Sequence, residues 1–336
     1  MVKCMVANLR EPLLNRRPLG ARTGLEVSEV GIGLWAVSGS EWGPANDEAS
    51  LDAIEAALEV GVNFFDTADV YGDGRSEELL GRAMEARRDT FVVATKIGWV
   101  DFDRQADRSQ YDSVDKLVAG VEQSLRRMGT DRIDVIQCHV DYPEPNSPVF
   151  IEGFRRLKEA GTVSAWGVST SDPDHLRRFN ADGDCDVLQT DYSILNRTAE
   201  QELFPYCQEH GIGVIVRGPL AMGLLTGKYA ASDTFPAGDF RRAWIEDPAQ
   251  HEQFLRDIAV VEELQDVVAD GETMAQFALR FVRSHPTVST VIPGARNRRQ
   301  AESNSSAGLK ALLSDQEREA VDRLVSPCGG RKIWPA

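Results

Sequence analysis

The hydrophobic and polar positions of the chain follow two patterns that alternate along the sequence. Short apolar runs, such as 62–65 and 133–138, have the length and composition of buried strands. The segments between them repeat apolar residues at helical spacing, as at Leu51, Ile54 and Leu58. Because helical segments separate successive runs, the pattern predicts strands and helices in alternation.

Eight barrel strands are predicted in this way, at 29–35, 63–66, 91–95, 133–138, 165–168, 187–189, 213–216 and 290–292. Helices are predicted at 47–61, from a cap at Ser76, at 113–128, 148–160, from 172, and at 204–210, 252–269, 273–284 and 314–325. A hairpin is predicted at 17–28. Alternation of this kind implies a parallel sheet. Eight units imply an α/β fold, a single (β/α)8 TIM barrel, here with an N-terminal β-hairpin and a C-terminal extra helix.

No linker, low-complexity stretch or change of composition divides the chain. We therefore expect a loose N-terminus at 1–15, one barrel domain at 16–325 and a C-terminal tail at 326–336. The segment at 219–248, after the seventh strand, is the unusual connection, because loops of this length are uncommon unless they cover a site.

Composition narrows the class of protein. A net charge of −16 argues against nucleic acid and anionic membrane surfaces as partners. The five cysteines have no paired spacing, which indicates reduced thiols. The sequence has no signal-peptide pattern and no apolar run of membrane-spanning length. The five histidines are scattered, without a metal-binding motif. We expect a soluble, cytoplasmic protein without a metal site.

Titratable side chains follow three successive predicted strands. Asp66 follows the second strand with Tyr71 in the next loop, Lys96 follows the third, and His139 follows the fourth. Each residue taken alone has a structural explanation. Asp66 is then a turn cap, Tyr71 a packed aromatic, Lys96 a lysine at a strand end and His139 a core histidine. In a barrel, however, the carboxyl ends of all strands face one mouth. We therefore expect the four side chains to converge there.

A phenol and an ammonium group at one site suit proton donation to a developing alkoxide. An ordinary phenol, with a pKa of about 10, is a weak donor at neutral pH. We expect Lys96 to lower the pKa of Tyr71, and Asp66 to hold Lys96 charged and oriented. His139 either donates a hydrogen bond to the carbonyl oxygen or shares the proton transfer with Tyr71.

Several motifs resemble those of the aldo-keto reductase family. They lie at 61–72, 95–96, 137–139, 166–169, 218–228 and 292–296. The resemblance extends from about Arg17 to Val325. It implies a (β/α)8 barrel that binds NADP(H) without a Rossmann domain. It also implies a tetrad of Asp66, Tyr71, Lys96 and His139 for reduction of a carbonyl to an alcohol.

The resemblance also implies the cofactor-binding residues, which are Gly33, Trp35, Ser169, Thr170, Gln189, Arg217, Gly218, Pro219, Leu220, Gly223, Lys228, Gly294, Arg296, Gln300 and Asn304. Thr170 stands where the family commonly has Asn. Arg217 stands where much of the family stacks an aromatic ring on the nicotinamide, and a guanidinium plane can also stack. Arg296 suits the 2′-phosphate because its fork matches phosphate geometry.

Aromatic residues in the loops after the strands are candidates for a substrate pocket: Trp35, Trp42, Trp99, Tyr142 and, in the long loop, Trp244. They form either pocket walls or the packing of the loops themselves. Aromatic walls favour apolar or aromatic aldehydes. A small-molecule carbonyl or sugar is the expected substrate, and a monomer is the default.

Two other functions remain open from the sequence. One is an NADP-dependent sugar or polyol dehydrogenase that runs toward oxidation, because the acid of one direction is the base of the other. The other is a nicotinamide-binding regulatory subunit similar to the β subunits of potassium channels, which resemble this family and keep the tetrad.

Overall fold

A computed structural model of the protein describes residues 14–39, 46–100, 111–140, 146–236 and 238–333. The described chain begins with a hairpin, in which β1 (Arg16–Pro18) pairs antiparallel with β2 (Glu26–Ser28). The predicted loose N-terminus lies almost wholly outside the described residues, as do Trp42 and Tyr142.

Eight parallel strands follow, and each pairs with the next along the chain. They are β3 (Ile32–Gly33), β4 (Phe64–Asp66), β5 (Val92–Ile97), β6 (Ile133–Cys138), β7 (Val163–Ser169), β8 (Val187–Asp191), β9 (Gly213–Arg217) and β10 (Val288–Val291).

The first and last of these strands close the sheet on itself. Isolated parallel bridges join Val30 to Val291 and Gly33 to Gly294. The amide of Gly33 donates to the carbonyl of Pro293 at 3.1 Å. A Cβ on Gly33 would lie 2.9 Å from the carbonyl oxygen of Ile292, so this close approach requires glycine. The predicted (β/α)8 barrel is confirmed.

Helices connect the strands and surround them. They are α1 (Asp47–Val60), α2 (Arg75–Met84), α3 (Val114–Met128), α4 (Ser147–Glu159), α5 (Pro173–Phe179), α6 (Leu203–His210), α7 (Ala243–Glu246), α8 (Pro248–Gln265), α9 (Met274–Arg283), α10 (Arg298–Ser306) and α11 (Asp315–Leu324). The last of them is the expected C-terminal extra helix.

Apolar side chains fill the barrel interior on the side of the hairpin. One cluster contains residues from seven of the eight barrel strands or their ends: Phe64, Ala94, Val135, Ala165, Val187, Ile215 and Ile292. Leu19 and Val27 of the hairpin belong to the same cluster and are fully buried. The hairpin therefore closes the amino-terminal end of the barrel, and the carboxyl end is the end that carries polar side chains.

The structure differs from the predicted elements at Ser76, at α10 and at the short helix α7, which lies inside the predicted loop at 219–248. Ser76 does not cap α2, because Gly74 occupies the cap position in a left-handed conformation (φ 92°). Ser76 lies inside the helix, accepts a hydrogen bond from the Thr67 hydroxyl at 2.7 Å and donates to the carbonyl of Leu34. The second difference is α10, which was not predicted because Ala301 is its only apolar residue.

Within the described ranges, no helix is both long enough and apolar enough to cross a membrane. The described cysteines are Cys138, Cys185, Cys207 and Cys328, and all four are free thiols.

Candidate active site at the carboxyl ends of the strands

The alternation of side chains along each strand places a polar layer directly above the apolar one. Each strand from β4 to β9 carries another residue two positions after its apolar residue in the interior cluster. These residues are Asp66, Lys96, Gln137, Gly167, Gln189 and Arg217. Since side chains two residues apart share a face of a strand, these groups point toward the barrel axis at its carboxyl end.

Lys96 is the centre of this layer and is fully buried. Its Nζ donates to Asp66 Oδ1 at 2.6 Å, to the carbonyl of Thr67 at 2.8 Å and to the Tyr71 hydroxyl at 3.2 Å. All three donor positions of the ammonium group are therefore occupied. The carboxylate, ammonium and phenol expected to converge do lie together.

Asp66 is held by amides as well as by Lys96. Its Oδ2 accepts from Gln189 Nε2 at 2.8 Å and from Gln137 Nε2 at 3.4 Å. Gln137 had no role in the sequence prediction. The signal was available, because Gln137 is a polar residue near the end of a largely apolar strand, two positions before His139 and on the same face.

Tyr71 remains a protonated phenol over the neutral range. Burial raises the pKa of Tyr71, and this effect outweighs the Lys96 charge, which lowers it. Asp66 also raises the pKa of Tyr71, whereas the hydrogen bond from Lys96 and the charge of Arg217 lower it. The expected net lowering by Lys96 is therefore not found in the protein alone. Desolvation of the phenolate has a larger effect on the pKa than the ammonium group does.

Lys96 stays charged in spite of its burial. Burial opposes the ammonium form, but the Asp66 carboxylate and Tyr71 together raise the pKa of Lys96 above its ordinary value. Because Lys96 donates to the phenolic oxygen, the proton of that phenol is available to another acceptor in the mouth.

His139 follows β6 and lies beside the phenol. Its ring is edge-on to Tyr71, with 5.6 Å between centroids, and 5.8 Å from the centroid of Trp99. Its backbone amide donates to the carbonyl of Ile97 at 2.9 Å, which ties the residue to the end of β5. All four members of the predicted tetrad thus surround one point of the mouth.

Aromatic rings line the mouth above this point. Trp35 stacks on Tyr71 at 6.2 Å and on Phe240 at 6.4 Å between centroids. Phe240, from the long loop after β9, was not predicted as a pocket residue. Trp244 of the same loop is instead buried against Phe235 and Phe254.

A second buried network lies behind the tetrad. Glu77 on α2 is fully buried, with Oε1 accepting from the Thr95 hydroxyl at 2.6 Å and Oε2 accepting from Arg127 Nε at 2.7 Å. Asp69 is also buried. Its burial, followed by the nearby charge of Glu77, raises the pKa of Asp69 well above its usual range. This network fixes the residue before Lys96 to the helix that follows Tyr71.

Three of the expected cofactor-binding side chains, those of Gln189, Ser169 and Thr170, differ in the hydrogen bonds that they make. Gln189 Oε1 is buried and accepts no hydrogen bond from any described residue. Ser169 is also buried, at the end of β7. Thr170 is fully buried, and its hydroxyl accepts from the amide of Asp172 at 3.0 Å, so it belongs to the turn before α5.

The loop after β9 has unusual backbone geometry. Ala221 and Met222 both have positive φ, at 48° and 54°, within a short 3-10 segment at Ala221–Thr226. Non-glycine residues rarely adopt this conformation, and such strain is often kept at binding sites. The expected cofactor residues Gly218, Pro219, Leu220, Gly223 and Lys228 lie in or next to this loop, and Lys228 is exposed.

The turn between β10 and α10 carries the remaining expected cofactor residues. Gln300 Oε1 accepts from the amide of Arg296 at 2.9 Å, and Asn304 donates to the carbonyl of Gly294 at 3.2 Å. These two side chains therefore hold the backbone of the turn. Arg296 is partly buried, and Gly294 is exposed beside Gly33.

No metal centre is found in the parts of the chain that the structure describes, where no three His, Cys, Asp or Glu side chains are grouped to hold an ion.

Comparison with known proteins gives a family for this architecture. A model of the Aldo/keto reductase family matches residues 29–326. The aldo-keto reductase YhdN of Bacillus subtilis (strain 168) is 32% identical over 310 residues, which cover 89% of this chain and 90% of the relative. The NADH-specific methylglyoxal reductase of Escherichia coli (strain K12) is 32% identical over 320 residues, covering 90% and 96%.

Two further matches bear on the range of functions among relatives. A probable voltage-gated potassium channel subunit beta of Oryza sativa subsp. japonica is 32% identical over 327 residues, covering 90% of this chain and 94% of the relative. The solved structure of the glycerol dehydrogenase AKR11B4 from Gluconobacter oxydans superposes with a TM-score of 0.78 at 30% identity, covering 97% and 99%.

Proposed function

Because the chain belongs to the aldo/keto reductase family and is an oxidoreductase of that family, we propose that it reduces aldehydes or ketones to alcohols, with Tyr71 as the proton donor and NADP(H) as the cofactor. The observation that carries this proposal is the buried Lys96, which joins Asp66 and Tyr71 within hydrogen-bond distance.

The protonation states favour Tyr71 as an acid. Its pKa is raised by burial, so the phenol holds its proton at neutral pH. Lys96 remains an ammonium group and donates to the phenolic oxygen, which stabilises the phenolate that forms when the proton leaves. Asp66 and Gln189 keep Lys96 oriented through the Asp66 carboxylate. His139, beside the phenol, is proposed to donate a hydrogen bond to the carbonyl oxygen.

The residues at the mouth fit a nicotinamide cofactor. The buried, unpaired Gln189 Oε1 is an acceptor that the NH2 group of a carboxamide would satisfy, and Ser169 lies at the end of the adjacent strand. When bound, such a cofactor supplies the hydride. The exposed Gly294 and the basic start of α10 fit the adenosine end, where a helix N-terminus and Arg296 both favour a phosphate.

A second function at the same site is oxidation of an alcohol or polyol. Tyr71 would then act as the base, because the same proton moves in the opposite direction. The similarity to a glycerol dehydrogenase makes this candidate specific enough to test.

The test compares wild type with Tyr71→Phe, using consumption of NADPH or NADH with aromatic aldehydes, short aldehydes, methylglyoxal and sugars. We expect the variant to lose about 10²–10⁴-fold in kcat, which is the usual contribution of a general acid. Cofactor affinity, measured by quenching of tryptophan fluorescence, should change by less than about threefold, since the removed hydroxyl donates its proton only during reaction. Tyr206→Phe is the matched control, because this phenol lies on α6 and pairs with Asn180.

Full activity in Tyr71→Phe would contradict the assignment of the proton donor. Cofactor binding by wild type without reduction of any aldehyde, and without oxidation of glycerol or other polyols, would instead favour a regulatory role like that in the name of the rice relative.

A further inference from the structure

Asp191 is a buried acid at the mouth for which the proposed reaction has no use. It is the last residue of β8, two positions after Gln189 and therefore on the same face of that strand. Its carboxylate is almost fully buried, and Oδ2 accepts from Asn196 Nδ2 at 2.5 Å. Its backbone lies opposite Arg217 in the pairing of β8 with β9.

Arg217 brings a positive charge to the same place. Its Nη1 lies 3.4 Å from the carbonyl oxygen of Gln189, and its Nη2 lies 3.4 Å from Ser171 Oγ. Although burial raises the pKa of Tyr71 overall, the charge of Arg217 is close enough to lower it. The guanidinium group of Arg217 thus lies beside the backbone of the glutamine proposed to hold the carboxamide.

A nicotinamide ring is positively charged when oxidised and neutral when reduced. A fixed cation beside the ring therefore weakens binding of the oxidised form much more than binding of the reduced form, and a nearby anion offsets this effect. We propose that the neighbouring charges of Arg217 and Asp191 together set how strongly the site discriminates between oxidised and reduced nicotinamide cofactor. This inference rests on the proposed function, because it requires the ring to bind beside Gln189.

The surroundings of Asp191 make its compensation of the Arg217 charge depend on pH. Burial raises the pKa of Asp191 to about 6, against the lowering effects of Arg217, the Asn196 hydrogen bond and Lys332 of the C-terminal segment. Polar residues that line the same pocket as Asp191 include Ser171, Thr190 and the acidic Glu202. The Ser171 hydroxyl oxygen accepts from the Asp191 amide at 3.5 Å. Above this pKa the carboxylate offsets the cation. Below it, Arg217 acts with less opposition and the preference for reduced cofactor increases.

The charges of Arg217 and Asp191 also affect turnover, through release of the oxidised cofactor. In the reducing direction the oxidised cofactor is the product, so a cation at the ring promotes its release. Ionised Asp191 moderates this repulsion, which keeps the oxidised cofactor bound well enough for the reverse reaction.

The test measures dissociation constants of NADP⁺ and NADPH by fluorescence titration of wild type, Asp191→Asn and Arg217→Gln. At about pH 8, where wild-type Asp191 is ionised, Asp191→Asn should raise the ratio of oxidised to reduced dissociation constants about tenfold, as expected for removal of one charge a short distance from the ring. At about pH 5, where wild-type Asp191 is protonated, the two proteins should agree within about twofold. Arg217→Gln should lower the ratio at both pH values.

Asp257→Asn is the control for loss of a buried acid elsewhere, since Asp257 lies on α8 and pairs with Arg331. It should leave the ratio unchanged. The inference is overturned if Asp191→Asn leaves the ratio unchanged at the higher pH, or raises it equally at both. If wild type binds neither cofactor form, the proposed function fails and this inference fails with it. Binding of both forms with an unmoved ratio removes the inference alone.

Discussion

Two arginines near the start of α10 lie in different surroundings, and Arg296 is the one that bears on cofactor choice. Arg298 is paired with Asp52 and Glu59 of α1 at 2.8 Å each, so its charge is already balanced by carboxylates. Arg296 belongs to the turn that Gln300 ties down, next to the exposed Gly294. In a protein with a net charge of −16, such local positive charge is what an anionic group requires.

Arg296→Ala should therefore weaken NADPH much more than NADH. Loss of one charge-assisted contact to a phosphate corresponds to about 1.5–3 kcal/mol, or roughly a tenfold to hundredfold rise in the dissociation constant of NADPH. The dissociation constant of NADH should change by less than about threefold, because NADH has no 2′-phosphate. Fluorescence titration with both cofactors measures the two effects.

Arg298→Ala serves as the comparison, with equal changes expected for both cofactors. Equal losses in Arg296→Ala would remove Arg296 as the phosphate ligand and would favour an NADH preference like that of the Escherichia coli relative.

At the scale of elements, α2 and α3 support the tetrad from outside the barrel. Glu77 of α2 accepts from Thr95 of β5 and from Arg127 of α3. Gly74, the cap of α2, lies so close to Arg127 that a Cβ there would be 2.5 Å from its Cδ. The turn after Tyr71 and the strand that carries Lys96 are thereby tied to one buried ion pair.

Arg127→Met should lower the free energy of unfolding by about 3–5 kcal/mol, because it leaves the fully buried Glu77 without its cation. Arg126→Met is the neighbouring control. Arg126 is exposed and pairs with Glu122 at 3.9 Å, so we expect a loss of less than about 1 kcal/mol. Denaturant titration measures both changes. The double variant Arg127→Met with Glu77→Leu should recover much of the loss, and similar losses for both arginines would contradict this account.

Elements with strong periodicity were predictable from the sequence, and those without it were not. The strand at 133–138 coincides with β6, and Asp172 caps α5 as predicted, with its carboxylate accepting from the amides of Asp174 and His175. By contrast, α10 has a polar sequence, and its Asn297 cap and its packing against α1 stabilise it instead. Local propensity carried no signal for such a helix.

The site follows the same rule. The positions of Asp66, Lys96 and His139 could be predicted because strand ends are readable and barrel geometry brings them together. The stacking of Phe240 on Trp35 could not, because it depends on how a long loop folds back across the mouth. The net pKa of Tyr71 also depends on burial, which the sequence does not specify.

The whole molecule depends on the seam between β3 and β10. Glu29, at the seam, is buried and pairs with Arg283 of α9 at 2.5 Å and with Arg17 of the hairpin at 2.6 Å. Its carbonyl accepts from the amide of Val291 at 3.1 Å. Glu29 thus joins the hairpin, the start of β3 and the helix α9, which precedes β10.

Glu29→Gln should open this seam more often, because Arg283 is left buried without its counter-charge. We expect a loss of about 3–5 kcal/mol in the free energy of unfolding. Hydrogen exchange of the Gly31, Gly33 and Val291 amides should accelerate more than exchange of amides between β6 and β7. Glu26→Gln, an exposed change on the hairpin, should alter neither quantity, and uniform acceleration across all strands would refute a local role for Glu29.

The same seam has a consequence during synthesis on the ribosome. β3 is made early and β10 late, so the growing chain carries an incomplete sheet with an unpaired edge for most of its translation. Unpaired parallel edges form pairs slowly and are prone to intermolecular association. Closure waits for nearly the whole chain, which makes the nascent protein a candidate client for chaperones that shield exposed strands.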